Sequence, residues 1–421
     1  MREMKDSGIE WIGAIPDNWD IMPNKYLMWK KKKICPVYNG EDIISLSMNG
    51  VIVRDLDAGG KMPTSFDGYQ YIESGNLLMC LFDIDVTPRC IGLIKCNGLT
   101  SPAYSQFFLT SRANAGYYNY YYTMLDNDKT LVHLAKNLRH SLTEEQLGTI
   151  STIVPPIAEQ IKISDYLDKK CEEINSVVAQ LQEEIETLEE YKRSVITEAV
   201  KKGLDPDVEM RDSGVEWIGD IPEHWETKRG KYMFTQRNTR GNNIELQLLS
   251  PTQKFGVIPQ SLYEELSGFT AVKLNEKTDF TSLKTIHKGD YCISLRSFQG
   301  GFEYSQYEGV VSPAYQVFYP TVTIARDYYK FLFKTQVFID EMNSYTMSLR
   351  DGKNIAYEDF ANTYIPIPPV EEQQQIADHL DEKCTEIDAV ISEKKQQIKT
   401  IEEYKKSLIF EYVTGKKEVN A

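Results

Sequence analysis

One segment of this chain occurs twice, and that recurrence constrains the fold more than any other feature. Met4-Lys-Asp-Ser-Gly-Ile-Glu-Trp-Ile-Gly-Ala-Ile-Pro-Asp-Asn-Trp19 returns 206 residues later as Met210-Arg-Asp-Ser-Gly-Val-Glu-Trp-Ile-Gly-Asp-Ile-Pro-Glu-His-Trp225, with 11 identities in 16 positions. A second match lies at offset 213: Pro155-Pro156, Glu159, Gln160, Leu167, Asp168, Lys170 and Cys171 recur as Pro368-Pro369, Glu372, Gln373, Leu380, Asp381, Lys383 and Cys384, and Glu189-Glu-Tyr-Lys192 recurs as Glu402-Glu-Tyr-Lys405. Between those ends the copies agree sparsely, as in Ser101-Pro-Ala-Tyr104 against Ser312-Pro-Ala-Tyr315. Two copies of one frame enclose different interiors. Neutral drift in loops is the plainer explanation, but drift would also have erased the exposed polar positions that the copies share.

The 421 residues suffice for two or three domains with real cores. No apolar run approaches the ~18 residues that span a bilayer, so a membrane or secreted protein is not expected and a cytoplasmic location is. Seven cysteines without a C-x-x-C pair fit reduced thiols rather than disulfides or structural zinc. The net charge of −15 has the wrong sign for a free-standing DNA binder.

The end of each copy predicts a long helix. From Ala158 to about Lys202 there is no Gly or Pro, and Leu167, Ile174, Leu181, Leu188 and Val195 keep a seven-residue spacing. Val177 and Tyr191 hold the fourth position, with Cys171, Val178 and Ile185 beside them. Copy two repeats the stripe with Leu380, Ile387, Ile401 and Leu408, interrupted by Lys394; Ile376, Val390 and Tyr404 take the fourth position. The Pro-Pro pairs set the helix starts, where Glu159, Glu371 and Glu372 suit a positive N-terminus, and Gly203 and Gly415 mark the ends. At 1.5 Å per residue each helix is roughly 65 Å long, longer than a ~155-residue globule is wide, at about 40 Å. With only Leu204 to Met210 as a connection, the helices are expected to pair antiparallel. That places Met1 near the end of the second helix.

The fold class expected is therefore mixed α/β (α+β): two globules, residues 1–156 and 204–369, joined by a long antiparallel two-helix coiled coil, residues 157–203 and 370–421 with a tail, as a pseudo-two-fold internal repeat. Within the globules, Ile43 to Leu46, Leu77 to Phe82 and Tyr291 to Leu295 read as strands, and Tyr117 to Leu125 and Tyr328 to Met342 as helices. The helix tyrosines could stack on bases, but a run shared by both copies points to core packing.

Motifs for catalysis are missing. There is no G-x-x-x-x-G-K-[ST] loop, G-x-S-x-G elbow, H-E-x-x-H pair or dinucleotide fingerprint, and the five histidines show no ligand spacing. Pro155-Pro156 and Pro368-Pro369 lack the Asn or Asp and the aromatic residue of an adenine methyltransferase motif. Glu190-Tyr-Lys192 and Glu403-Tyr-Lys405 mimic a nuclease E-x-K but sit mid-helix. Binding, without catalytic residues or a metal, is the function expected.

The paired Trp-Ile-Gly-x-Ile-Pro-x-x-Trp segments (Trp11 to Trp19, Trp217 to Trp225), the Pro-Pro-[Ile/Val]-x-Glu-Gln helix starts and the Glu-Glu-Tyr-Lys helix cores resemble the specificity subunit of type I restriction-modification systems over nearly the full length. The resemblance implies two target-recognition domains, each reading half of a bipartite, asymmetric site on double-stranded DNA. It implies two modification (methyltransferase) subunits docked on the spacer and bringing S-adenosylmethionine, and restriction/translocase subunits bringing ATP and Mg. This chain itself would carry no cofactor and no catalysis. A stiff spacer would set the gap between half-sites, about one helical turn (~34 Å) apart.

Arg, Lys, Asn and Gln in Gly-flanked loops can pair with guanine or adenine edges. The candidates are Arg54, Lys61, Arg89, Lys95 and Arg139 in copy one and Lys254, Arg296, Gln299, Arg350, Lys353 and Asn354 in copy two. The run Lys30-Lys-Lys-Lys33 either grips phosphate or forms the exposed face of an early helix. By segment the net charge is −2 for 1–156, −4 for 157–203, −5 for 204–369 and −4 for 370–421, so only the first globule is near neutral. The methyltransferase is expected to supply much of the phosphate neutralisation. A non-catalytic scaffold spacing two protein-binding domains would share the architecture, and DNA binding by the assembled complex separates the two.

Overall fold

The computed structural model describes residues 2–48, 50–57, 63–135, 140–241, 246–270, 280–293, 301–345 and 355–419. The chain divides into two compact units, Met1–Gln182 with Lys395–Ala421, and Glu183–Lys394. Each unit therefore contains part of both long helices, Ile157–Lys202 and Val370–Val413.

Inside each unit the helix segments run in opposite directions. In unit 1 the rings of Tyr166 and Tyr412 lie 4.5 Å apart, and Lys405 donates to Asn175 at 2.7 Å. In unit 2 Lys192 meets Asp388 at 2.6 Å and Lys394 pairs with Glu184. Rising numbers on one helix match falling numbers on the other. Lys394, which breaks the apolar stripe, is thus satisfied by a carboxylate of the facing helix.

The apolar seam differs from the expected one in its second series. Leu167 and Leu380 are fully buried, and Cys171, Ile185, Cys384 and Ile391 are buried with them. Of the residues expected at the fourth position, Ile376 is fully buried, but Val177, Tyr191, Val390 and Tyr404 are instead 44%, 56%, 42% and 57% exposed. Successive helical residues point about 100° apart, so a seam running through Cys171 and Ile185 turns the neighbouring Val177 and Tyr191 outward. Each fully buried Leu contributes roughly 1.5–3 kcal/mol by leaving water.

Both units are built to one plan. In unit 1, Met4–Asp6 pairs with Ala14–Pro16, and Asp20–Pro23 with Ser151–Val154, just ahead of the long helix. A four-stranded antiparallel sheet has the order Met28–Lys30, Ser105–Leu109, Leu77–Met79, Ile91–Leu93, with the hairpin Ile44–Ser47/Gly50–Val53 alongside. Unit 2 repeats this with Met210–Asp212 on Asp220–Pro222, Glu226–Arg229 on Tyr364–Ile367, the sheet Phe234–Arg237, Gln316–Pro320, Tyr291–Ile293, Phe302–Tyr304, and the hairpin Leu249–Thr252/Gly256–Pro259. The run Lys30–Lys33 continues a strand, not a helix: Lys31 lies over the Phe108 ring and Lys33 over Tyr71.

The repeated motifs are the joints of this plan. Glu159 accepts the Trp19 indole N–H at 3.0 Å, and Glu372 accepts that of Trp225 at 3.0 Å. Gln160 and Gln373 are buried; their Oε1 atoms accept from Asn114 N (2.8 Å) and Ala325 N (2.9 Å), and their Nε2 atoms donate to Pro155 O (2.8 Å) and Pro368 O (2.7 Å). These bonds tie the start of each long helix to the start of the tyrosine helix, Ala115–Asn127 or Arg326–Leu332. Tyr117 donates to Val413 O at 2.8 Å and Tyr328 to Val200 O at 2.7 Å, which joins the same helix to the other long helix's end. Burial pushes both phenols well above their ordinary range. The tyrosines are core, as their shared spacing predicts.

The expected helix Tyr328 to Met342 is two helices, Arg326–Leu332 and Gln336–Ser344. Thr335 takes an extended conformation and its hydroxyl donates to Leu332 O at 2.8 Å, satisfying a carbonyl of the broken turn. At the other expected stops, Gly203 (φ 77) and Gly415 (φ 70) leave each long helix in the left-handed conformation. A Cβ on Gly415 would sit 2.5 Å from the Pro16 ring, so the chain's last segment packs against its first in unit 1, where Lys416 also donates to Ile12 O at 2.7 Å.

Candidate nucleic-acid interface

Strand register brings several irregular segments to one end of each four-stranded sheet. In unit 1 Met79 pairs with both Ser105 and Ile91, so the loop 80–90 and the turn Ser101–Tyr104 leave from the same end. The segment after 136–139 joins them: Ile84 N donates to His140 O at 3.2 Å and Leu142 N to Leu81 O at 2.8 Å. Phe82, 38% exposed, stacks on Tyr104 with ring centroids 6.5 Å apart. In unit 2 Ile293 pairs with Gln316 and Phe302, so the flanks of 294–300 and the turn Ser312–Tyr315 occupy the matching end. Gln316 Nε2 donates to Ile355 O at 3.2 Å, which brings the residue following 346–354 to the same place.

The two Ser-Pro-Ala-Tyr turns are identical in bonding: Tyr104 N donates to Ser101 O and Tyr315 N to Ser312 O, each at 3.1 Å. The carbonyl after each turn is held differently. Gln70 Nε2 donates to Tyr104 O at 2.7 Å, whereas Lys284 Nζ donates to Tyr315 O at 2.8 Å. A common turn is thus presented by different supports.

Unit 1's loop end also carries strain. Among the described residues, the non-glycine residues in the left-handed region are Asp83 (φ 46), Lys129 (φ 51) and His140 (φ 42), and all three belong to this end. Each costs on the order of 1–3 kcal/mol and persists where the surroundings over-determine it.

Of the candidate base readers, Lys61, Arg139, Arg296, Gln299, Arg350, Lys353 and Asn354 lie outside the described residues. Arg54 follows the strand Gly50–Val53 and donates its N–H to Ile43 O at 2.7 Å; its charge opposes the rise that burial gives the Tyr104 phenol, placing it toward the loop end. Lys95 and Lys254 are exposed, but at the opposite end. Lys95 follows Leu93, which pairs with Leu77, and Lys254 lies in the hairpin turn before Gly256, which abuts Tyr304 O. Arg89 is committed inward: Nη1 meets Asp126 Oδ2 at 3.2 Å and Asn127 Oδ1 at 3.0 Å, and the side chain is 17% exposed. Its guanidinium anchors the loop, because an acid as buried as Asp126 needs charged donors. Asp126 and Lys129 carry no signal in the sequence, and Phe82 and Tyr104 stand out there only as a strand end and a repeated segment, since no periodicity brings loops 40 residues apart together.

Two buried acids differ between the units. Asp126 in unit 1 accepts from Arg89, Lys129 and the backbone; with burial, its charge pushes the Cys90 thiol up to about 12. In unit 2 Glu303 meets Lys334 Nζ at 2.6 Å, at the break between Arg326–Leu332 and Gln336–Ser344. Burial pushes the Glu303 carboxyl up to about 7 from 4.5, with the Lys334 charge pulling the other way. The folded state then holds more protons than the unfolded one between those values. Unit 2 should lose stability as pH rises from about 4.5 to 7, by at most about 3 kcal/mol from this group, and stay level above. Urea unfolding at pH 5 and 7.5 checks this, and Glu303→Gln should flatten the slope; an unchanged slope in the variant rules Glu303 out as its source. Among the described residues no group of three His, Cys, Asp or Glu side chains is arranged to hold a metal, and no helix is long and apolar enough to cross a membrane.

Comparison with known proteins gives a consistent result. The family model described as type I restriction modification DNA specificity domain matches residues 221–400. A putative type I restriction enzyme MjaX specificity subunit from Methanocaldococcus jannaschii is 23% identical over 66% of this chain and 61% of its own length. The MjaVIII specificity subunit of the same organism is 25% identical over 62% of this chain and 61% of its own length. The match thus spans about three fifths of each relative. In fold, the chain is similar to a solved chain from a study of assembly and conformational transition in the type I restriction-modification system, with a TM-score of 0.67, 14% identity and coverage of 95% and 99% of the two chains.

Proposed function

We propose that this chain is a specificity subunit of a type I restriction-modification system, a reading supported by the family match over residues 221–400 and by the similar specificity subunits, and that it reads a bipartite, asymmetric DNA site and catalyses nothing itself. Unit 1 reads one half-site and unit 2 the other, each through the loops at its sheet end. The observation that carries this is the pairing of one frame with unlike loops: the Trp–Glu, Gln and Tyr joints are the same in both units, while the segments beside the Ser-Pro-Ala-Tyr turns differ in sequence and support. That is how one scaffold comes to read two ligands. The paired helices set the gap between half-sites. In the cytoplasm, methyltransferase subunits bring S-adenosylmethionine and restriction subunits bring ATP and Mg. Those partners also supply most phosphate contacts, since this chain carries −15, leaving it to read base edges.

Methylation mapping in cells carrying the system tests the reading. The expected result is a bipartite adenine motif, and replacing residues 204–369 with the same region of a relative should change one half alone. One continuous palindrome would overturn it.

Two methyltransferase subunits dock on the paired helices. Each unit exposes a matching valine and tyrosine there, Val177 and Tyr404 in unit 1 and Val390 and Tyr191 in unit 2, and a recurring apolar patch suits two copies of one partner. Tyr191→Asp with Val390→Asp should leave a complex with one methyltransferase, and the matching pair at Val177 and Tyr404 should remove the other. Native mass spectrometry reads the stoichiometry; retention of both copies in the fourfold variant excludes this footprint.

A further inference from the structure

The loop 80–90 of unit 1 is fixed from beneath by one buried carboxylate. Asp126, at the end of the tyrosine helix Ala115–Asn127, has a side chain 1% exposed. Its Oδ2 accepts from Cys90 N at 3.0 Å and from Arg89 Nη1 at 3.2 Å, and its Oδ1 accepts from Lys129 Nζ at 2.8 Å. Lys129 Nζ also donates to Thr87 O at 2.7 Å, inside the loop. Asp83 O receives Thr87 N at 2.9 Å and Thr87 Oγ1 at 2.7 Å, which closes a turn whose outermost residue, Val86, is 74% exposed.

Stability alone does not account for this network. A buried ion pair is often no more stabilising than apolar residues of equal volume, because desolvation offsets attraction. Lys129 also sits in the left-handed region, a conformation that disfavours lysine. What the network does supply is direction: the three donors around Asp126 fix Cys90 and Arg89 at one end of the loop and Thr87 near its middle. The position of unit 2 that matches Asp126, 211 residues on, is Val337.

We propose that Asp126 and Lys129 are positioning residues for base reading by unit 1: they hold the loop 80–90 so that its tip meets the DNA, with Arg89 serving as an anchor. This rests on the reading of unit 1 as a half-site reader. A loop freed at Thr87 and Cys90 samples several geometries, and a base reader placed about 1 Å off loses discrimination before it loses contact with the duplex.

The test uses the complete complex with its methyltransferase and compares wild type, Lys129→Met and Asp126→Asn by methylation mapping. The expected result is a motif degenerate in one half, with off-motif methylation there raised about tenfold or more, while the other half stays intact. Arg89→Lys, which keeps one charged donor for Asp126, should remain nearer wild type than Arg89→Ala. A purely structural role would lower methylation everywhere without changing the motif, and that outcome overturns the proposal, as do an unchanged motif or degeneracy in both halves. Should Asp126→Asn fail to fold, Lys129→Met decides, because it leaves Cys90 and Arg89 bonded to Asp126. A wild type without a bipartite motif would sink the half-site reading itself, whereas a bipartite wild type with unmoved variants sinks only this inference.

Discussion

Removing one heptad from each long helix, Leu181–Thr187 and Ser392–Ile398 together, should shorten the gap of the methylated motif by about three base pairs and leave both half-sites unchanged. Seven helical residues span roughly 10 Å, and base pairs are stacked about 3.4 Å apart. The segments are matched by register: Lys394 meets Glu184 and Lys192 meets Asp388 on one side, and Lys405 meets Asn175 on the other. Deleting equal lengths from both helices removes Lys394 together with its partner Glu184, keeps the Lys192–Asp388 and Lys405–Asn175 pairs in register, and leaves a residual rotation of only about 20°. Deletion from one helix alone misaligns the seam and should abolish methylation. A double deletion that methylates the original spacing would show that the helices do not set the gap.

The second large effect concerns the joints. Gln160→Leu strands Pro155 O in the interior and Asn114 N and Arg112 O where they are partly buried, each having been bonded at 2.8 Å. An unsatisfied buried group costs about 1–3 kcal/mol, so unit 1 should lose about 3–5 kcal/mol. Gln373→Leu should cost unit 2 somewhat less, since it strands Ala325 N and Pro368 O. Hydrogen exchange resolved by unit, followed through urea unfolding, checks both. A loss below about 1 kcal/mol in either variant would mean that water reaches these groups and that the glutamines are not joints.

Much of this was legible beforehand because it is written in repeats. The Pro-Pro helix starts, the glycine stops and the Leu167–Val195 spacing are local signals, and each sits where local physics places it. The antiparallel pairing followed from helix length against a seven-residue connection. The recurrence of Trp19 with Glu159 and of Trp225 with Glu372 was visible too, although that Glu accepts the indole proton was not, because 140 residues separate the partners. Arg89 shows the limit most clearly. As a basic residue in a loop it reads as a DNA contact, yet Asp126, 37 residues away, draws it inward.

By itself, then, the sequence determined what is periodic or repeated: two copies of one frame, two long helices, where they begin and stop, and the absence of catalytic motifs. Tertiary structure alone decided which of two adjacent stripes forms the seam, how the helix after Leu332 breaks so that Lys334 meets Glu303, and which loops share one sheet end. The reason is physical. Periodicity and turn chemistry act over a few residues, whereas burying a charge or facing a helix depends on what another part of the chain brings to the same place.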